Sequence, residues 1–190
     1  MIFQALLESI VDTTLPEWPR VADAIAVRTL EPGGTVFLQD VEHPFVYAVN
    51  EGLLKLCYLS EDGTEWVKSF AHEGRFFASI AALQPNGRTT FTVTAIEAST
   101  IERVDYRLLS SLAQRHLVWS QALHAMTLIF AARKEQRERE LLTLDPQNRY
   151  LAFCAAHHDL ERRIPQKDLA RHLGVTPVGL NRIVMRLRRG

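Results

Sequence analysis

The sequence contains little cysteine, only two residues among 190. Cys57 and Cys154 are far apart, and each lies in an apolar stretch. Two cysteines cannot supply the four thiolates of an iron–sulfur cluster, nor form a structural zinc site on their own. We therefore predict that both are small buried hydrophobic residues.

Long apolar runs and a basic N-terminal segment are also missing. No stretch approaches the ~20 apolar residues needed to span a bilayer. The N-terminus does not begin with positive charge and carries Glu8 and Asp12, unlike a signal peptide. These absences predict a cytoplasmic protein without a membrane partner. A hydrophobic content of 47% in 190 residues suffices for a core and a small additional domain.

The chain has no net charge overall, but its charged residues are distributed unevenly along the sequence. The 22 basic residues balance the 22 acidic ones. Residues 161–190 nevertheless hold eight basic and two acidic residues, a net +6, which leaves −6 for residues 1–160. A basic end on an acidic body is typical of phosphate-backbone binding. The alternative is a solvated, randomly basic end.

The basic end has the pattern of a helix-turn-helix. Apolar residues recur at helical spacing up to Gly174, which is suited to end a helix. Thr176 and Pro177 then provide a cap and a first-turn residue for a second helix. Small Ala170 suits the crossing point of the two helices. The second helix is predicted to place its polar residues outward: Asn181, Arg182, Arg186, Arg188 and Arg189.

Residues 27–104 are predicted to form short strands of an antiparallel barrel or jelly roll. β-rich runs alternate with turn signals roughly every ten to twenty residues, a spacing that favours an antiparallel structure over βαβ units. The turns are Pro32-Gly33-Gly34, Asn50-Glu51-Gly52, Glu61-Asp62-Gly63 and His72-Glu73-Gly74.

Residues 106–144 contain neither glycine nor proline and are predicted to be helical. Four large apolar residues recur at spacings of four, three and four, as in a coiled-coil seam. A small barrel could not cover so long a stripe, so we expect a dimer interface, with the chain's own core as the alternative. The seam consists of Trp119, Leu123, Met126 and Phe130.

Asp145 and Pro146 mark the end of this helical segment. Asp145 is suited to cap a new helix and Pro146 to begin it. The predicted fold class is therefore α+β, with three parts: a β-roll over residues 1–105, a long dimerisation helix over 106–144, and a helix-turn-helix domain over 145–190.

This order of motifs resembles the Crp/Fnr family of bacterial transcription regulators over nearly the whole chain. The segments that carry the resemblance are LEPGGTVFLQD, VNEGLLKLCYLSEDGTE, EGRFFAS, GRTTFTVTA and the C-terminal helix pair. The resemblance implies a β-roll of the cyclic-nucleotide-binding kind and a homodimer formed by the long helices. It also implies DNA half-sites about one turn apart, with RNA polymerase as a further partner.

The cyclic-nucleotide signature of that family is altered in this sequence. Family members that bind cyclic nucleotides carry Gly-Glu and then Arg-Ser or Arg-Thr, where this chain has Ala78-Ser79 and Thr89-Thr90. Arg88 lies one position too early, and Lys134-Glu135 replaces the usual base-contacting pair. A cyclic phosphate would be left poorly paired, so cyclic AMP is not expected. The candidate effector pocket is Phe77, Ser79, Arg88, Thr89, Thr90, Lys134 and Glu135.

Other effectors of the family have little support in the sequence. The cysteine count opposes an iron–sulfur cluster. Isolated histidines such as His72, His116 and His124 are more typical of ordinary core or surface positions than of haem ligation. An unidentified small molecule, or no effector at all, remains.

The predicted DNA-reading residues also differ from the family pattern. Thr176, Pro177 and Val178 replace a Ser-Arg-Glu start, and only Arg182 matches the later arginine. We predict that Arg182 contacts guanine, Asn181 adenine and Val178 a thymine methyl group. The chain ends at Gly190, before the β-hairpin wing of the family. The predicted phosphate contacts are Gln166, Lys167, Thr176, Arg186 and Arg188.

Two alternatives come from other functional classes. One is a ligand-binding sensor module that has lost DNA binding, suggested by the altered reading residues and the missing wing. The other is a metal-dependent enzyme of the cupin type, which requires clustered histidines. The sequence contains no His-x-His pair, so neither an enzyme nor a metal site is predicted.

Overall fold

A computed structural model describes residues 1–188. The predicted outward position of Arg189 and the chain end at Gly190 lie outside the described residues. The chain opens with α1 (Ile2–Val11) and α2 (Trp18–Ala24). The side chain of Glu102, 2% exposed, accepts hydrogen bonds from the Phe3 and Ile2 backbone amides at 2.8 and 3.1 Å. This carboxylate satisfies two amides at the start of α1 and fixes the helix on the sheet below.

Eight strands follow and form two four-stranded antiparallel sheets. One sheet has the order β1-β8-β3-β6 and the other β2-β7-β4-β5. This arrangement confirms the predicted α+β class with an antiparallel N-terminal roll. The strands are β1 (Ala26–Leu30), β2 (Thr35–Phe37), β3 (Phe45–Glu51), β4 (Leu53–Leu59), β5 (Glu65–His72), β6 (Phe76–Phe77), β7 (Thr92–Ala95) and β8 (Ser99–Asp105).

Gly52 makes the reversal from β3 to β4 possible. Its φ of 101° lies in a region that residues with a Cβ rarely adopt. A Cβ at this position would also come within 2.2 Å of the Ser99 hydroxyl oxygen. The chain therefore passes from one sheet to the other only because glycine stands here.

Aromatic side chains fill the space between the two sheets. Tyr47 and Phe77 stack with ring centroids 4.8 Å apart, and Phe37 lies 5.7 Å from Phe91. All four are buried. The roll interior is thus closed by its own side chains, with aromatic pairs adding to the hydrophobic effect.

The predicted helical segment 106–144 is two helices. α3 (Tyr106–Ala113) ends before residues 114–116, and α4 (Leu117–Thr143) then continues for 27 residues. Arg115 and His116 at the break both bind Glu17, at 3.0 and 2.6 Å. These polar contacts join distant parts of the chain. Because helical periodicity carries no information about such contacts, the break was not predicted.

The predicted dimer seam lies in the chain's own core. Trp119 is fully buried, stacks on Trp18 at 6.3 Å and donates its indole N–H to the Pro16 carbonyl at 2.8 Å. Leu123 and Met126 are buried in the same cluster, and partly buried Phe130 packs against it. The structure places these residues in the chain's own core, which was the alternative to a dimer interface, because α1 and α2 cover the stripe that the roll alone could not.

Four helices complete the described chain: α5 (Pro146–Ala156), α6 (Leu160–Arg163), α7 (Gln166–Leu173) and α8 (Pro177–Leu187). Asp145 caps α5 by accepting a hydrogen bond from the Asn148 amide at 2.9 Å, and Pro146 occupies its first turn. Apolar residues of these helices form a third core cluster, which also includes Leu53 of β4. The C-terminal helices are therefore packed onto the roll.

Candidate nucleic-acid interface

The helices α7 and α8 form the helix pair that the sequence predicts. Gly174 ends α7 in the left-handed conformation with φ 69°. The Thr176 hydroxyl oxygen accepts a hydrogen bond from the Gly179 amide at 3.0 Å, and Pro177 lies in the first turn of α8. Ala170 is fully buried in the cluster that α7 and α8 share. The stop, the cap and the small contact residue all lie where the pattern placed them.

One face of α8 is open to solvent. Val178 is 62% exposed, and Asn181 and Arg182, one turn further on, are exposed as well. The structure thus brings together the three residues predicted to read bases. Met185 continues the same face and is 43% exposed. Sequence reasoning missed it, although its spacing of seven from Val178 is two helical turns.

An open groove of about 480 Å³ separates α8 from the start of α5. Arg186 reaches across it and donates a hydrogen bond to the Gln147 side-chain oxygen at 3.4 Å. The beginning of α5 therefore lies beside the outer face of α8. The residues lining the groove are Asp145, Pro146, Gln147, Val175, Gly179, Arg182, Ile183 and Arg186.

The predicted phosphate-contacting residues border this face. Gln166 and Lys167 are exposed at the start of α7, and Thr176 is exposed at the start of α8. Amide groups at a helix start favour anions, so these positions suit phosphate. Arg186 and Arg188 are exposed near the other end of α8.

Two basic residues of the C-terminal region, Arg171 and Arg163, face the roll instead. Arg171 binds Glu65 of β5, which also accepts from the Lys55 ammonium at 3.1 Å. Lys55 contacts Asp168 of α7 at 3.3 Å. Burial alone would lower the pKa of Lys55, but the hydrogen bond to Glu65 and the charge of Asp168 outweigh it and raise that pKa.

Arg163 makes a second ionic contact with the roll. Its guanidinium binds Glu73 at 2.8 Å and also Glu97. Burial would raise the pKa of Glu73, but the hydrogen bonds from Arg163 and from the Gly52 amide lower it to about 2. Arg163 and Arg171 therefore contribute to domain docking, whereas the sequence pattern counted them with the DNA-facing charge.

An aromatic cluster lies between these ionic contacts. Phe153 of α5 lies 6.2 Å from Phe70 of β5 and 5.5 Å from His172 of α7. His172 is 8% exposed, and one ring nitrogen faces the Val67 carbonyl oxygen at 3.3 Å. Burial, with the nearby positive charge of Arg137, lowers the pKa of His172 to about 3.

The predicted effector-pocket residues are only partly brought together. Phe77, Ser79 and Thr89 are buried, and both hydroxyl groups already have hydrogen-bond partners. The Ser79 hydroxyl accepts from the Thr90 amide at 3.2 Å, and the Thr89 hydroxyl donates to the Leu38 carbonyl at 2.6 Å. The exposed side chain of Arg88 instead pairs with Asp40 at 2.6 Å.

Lys134 and Glu135 lie exposed on α4. Lys134 faces Lys68 of β5, whose ammonium lies 4.8 Å from the centre of the Phe91 ring. Burial, and then the charge of Lys134, lower the pKa of Lys68. Sequence reasoning missed Lys68, because an isolated lysine in a strand carries no signal.

Metal ligation and membrane insertion find no support in the described part of the chain. Among residues 1–188, no three His, Cys, Asp or Glu side chains come together as metal ligands. No helix within that range is long and apolar enough to cross a membrane.

Residues 27–116 match the cyclic nucleotide-binding domain family. No curated protein matches the chain. FixK2 from Bradyrhizobium japonicum has a similar structure, with a TM-score of 0.77 and 18% identity over 87% of this chain and 85% of that one. The c-di-GMP-responsive global regulator CLP of Xanthomonas campestris has a TM-score of 0.69 and 18% identity, over 90% of this chain and 90% of that one.

The catabolite activator protein of Thermus thermophilus is also similar, with a TM-score of 0.57 and 19% identity over 97% of this chain and 87% of that one. At 18–19% identity, these three likenesses concern the fold. The resemblance in sequence is thus confirmed at the level of the fold: a region that matches the cyclic nucleotide-binding domain family is followed by C-terminal helices arranged as in these structures.

Proposed function

We propose that this protein is a DNA-binding transcription regulator that acts as a homodimer. The observation that carries the proposal is the open outer face of α8, where Val178, Asn181 and Arg182 lie together. A helix of this exposure fits the major groove, where an arginine can bind guanine through two hydrogen bonds. Exposed Lys167 and Arg186 border the face and would neutralise phosphates.

A dimer would form through the side of α4 opposite the buried seam. Leu117, Leu128 and Leu142 are 73%, 54% and 77% exposed. Their separations of 11 and 14 residues place them on one face of the helix. Exposed leucines repeated along a long helix support pairing with a second copy. Two recognition helices would then meet successive half-sites.

Effector control of the usual kind has less support. The hydroxyls of Ser79 and Thr89 already have partners within the chain, and Arg88 pairs with Asp40. A cyclic phosphate at this position would have to displace these contacts. We therefore propose that the roll does not depend on cyclic AMP.

The DNA-binding part is tested by titrating fluorescently labelled genomic fragments at increasing salt. We expect affinity to fall steeply with salt, and Arg182→Ala to weaken binding at every salt concentration. Arg107→Ala is the matched control, because Arg107 is exposed on α3, outside both α8 and the proposed dimer face of α4, and its substitution removes the same charge. Absent or salt-independent binding, unchanged by Arg182→Ala, would favour a sensor module without DNA binding.

The dimer is tested by sedimentation. Leu128→Glu is expected to shift the protein toward the monomer. Leu151→Glu, an exposed leucine on α5 with 44% exposure, is the control and should leave the mass unchanged. A monomeric parent protein would contradict the proposed dimer.

A further inference from the structure

Four arginines lie where the roll, the long helix and the C-terminal helices meet: on α4, Arg133 reaches the Phe76 carbonyl of the roll and Arg137 the His172 carbonyl of α7. Arg133 and Arg137 lie one turn apart on α4 and therefore share a face. Arg75 lies in the turn between β5 and β6, and Arg149 lies on α5. We call this set the junction arginines.

The guanidinium groups of the junction arginines are incompletely paired. Nη1 of Arg137 and Nε of Arg149 are buried without a hydrogen-bond partner among residues 1–188. The other amino group of Arg137 donates to the His172 carbonyl. Arg133 reaches only the Phe76 carbonyl, at 3.4 Å, and Arg75 only the His72 ring, at 3.1 Å. No carboxylate lies within 4 Å of any of the four in the described range.

The surrounding groups add little negative charge. His72 and His157 lie 6.3 Å apart, and burial together with nearby arginines lowers the pKa of both. Glu73 is bound by Arg163, and Glu140 accepts a hydrogen bond from Gln136. The charge of Glu140 acts on Arg137, but Glu140 forms no salt bridge among residues 1–188.

Burial and neighbouring positive charge lower the pKa of two of the junction arginines. Burial, followed by the charge of Arg75, lowers the pKa of Arg133 to about 10. Burial also lowers the pKa of Arg137; the charge of Glu140 opposes this shift, and the charge of Arg149 adds to it. Cations that are desolvated and close to one another favour an anion between them.

We propose that the junction arginines form a binding site for a small phosphate-bearing anion. Guanidinium groups bind phosphate oxygens through paired, charge-assisted hydrogen bonds. A phosphate here would contact the β5–β6 turn, α4 and α5 together, next to the end of α7. The site is separate from the roll interior, where Ser79 and Thr89 are already paired.

The anion would therefore hold the C-terminal helices against the roll. This consequence rests on the proposed function, because it predicts that the anion changes DNA affinity. Binding of the anion itself does not depend on DNA.

The test is thermal unfolding of the full chain in sodium phosphate against sodium chloride at equal ionic strength, followed by calorimetry with inorganic phosphate and with AMP. Phosphate is expected to raise Tm, since a ligand that binds only the folded state stabilises it. Arg133→Gln should weaken binding about tenfold through the loss of one charged hydrogen bond. Arg107→Gln, at an exposed arginine of α3, is the control.

Arg137→Gln should have the same effect and serves as a second variant. Binding of inorganic phosphate identifies the free anion as sufficient, whereas binding of AMP alone, weakened by Arg133→Gln, identifies a nucleotide as the source. Equal Tm in both salts with no heat from either ligand would overturn the site, as would binding that both variants leave unchanged. Failure to bind DNA would overturn the proposed function but not this site.

Discussion

The two faces of the C-terminal helices use the same residue types in opposite ways. Toward the roll, Arg171 and Arg163 meet Glu65, Glu73 and Glu97 beside an aromatic cluster. Away from it, Arg182 and Arg186 are exposed, and neither forms a salt bridge within residues 1–188. The charges of the first face are paired within the chain and stabilise the folded protein. The second leaves positive charge for a partner, which is the expected property of a surface that binds DNA.

The largest predicted effect breaks the roll-facing side. Phe153→Ala should lower the free energy of unfolding by about 3–5 kcal/mol, because a buried ring is lost and a cavity remains. Chemical denaturation would measure this change. Val178→Ala is the control, since Val178 is 62% exposed and its loss should leave the unfolding free energy nearly unchanged. Equal effects of the two substitutions would contradict the division into two faces.

A pair of arginine variants sharpens the comparison. Arg182→Ala should weaken DNA binding by about 1–3 kcal/mol and leave unfolding unchanged. Arg171→Ala should do the reverse and cost about 1 kcal/mol of stability, because its ion pair with Glu65 is only partly shielded from water. Fluorescence anisotropy with labelled DNA and urea denaturation separate the two outcomes. A larger loss of DNA affinity in Arg171→Ala than in Arg182→Ala would contradict the assignment of the DNA-binding surface to the outer face of α8.

The smallest predicted effect concerns pH. His172 has a pKa of about 3 in the folded protein and an ordinary value of 6.5. Between these values the unfolded chain binds a proton that the folded chain does not, so stability falls as pH falls below 6.5. At pH 5.5 this residue should cost about 1 kcal/mol. His172→Gln should flatten the dependence of Tm on pH, and His158→Gln, at an exposed position outside α4, is the matched control. A pH profile unchanged by His172→Gln would show that the ring is not kept neutral.

Local features were well predicted from the sequence. The end of α7 at Gly174 and the cap of α8 at Thr176 depend on backbone conformation and one short hydrogen bond, both of which adjacent residues determine. The start of α5 at Pro146 has the same origin. The antiparallel roll followed from turn residues spaced along residues 27–104.

Contacts between distant segments were not predictable. Periodicity shows that Trp119 and Met126 share a face of α4, but not that α1 and α2 cover it. It could not show that Ser79 and Thr89 pair with the chain itself, or that Lys68 faces Lys134.

The helix pair, its stop and cap, the uneven charge and the antiparallel roll could be predicted from the sequence, because each depends on neighbouring residues or on composition. Which charges are left unpaired depends on tertiary contacts. Arg171 and Arg182 are equivalent in a helical pattern, yet one meets Glu65 and the other meets solvent. Tertiary contacts likewise bury Trp119 in the core, whereas Leu128 of the same helix is exposed to solvent. Which side of a helix is covered depends on residues a hundred positions away, and no local pattern contains that information.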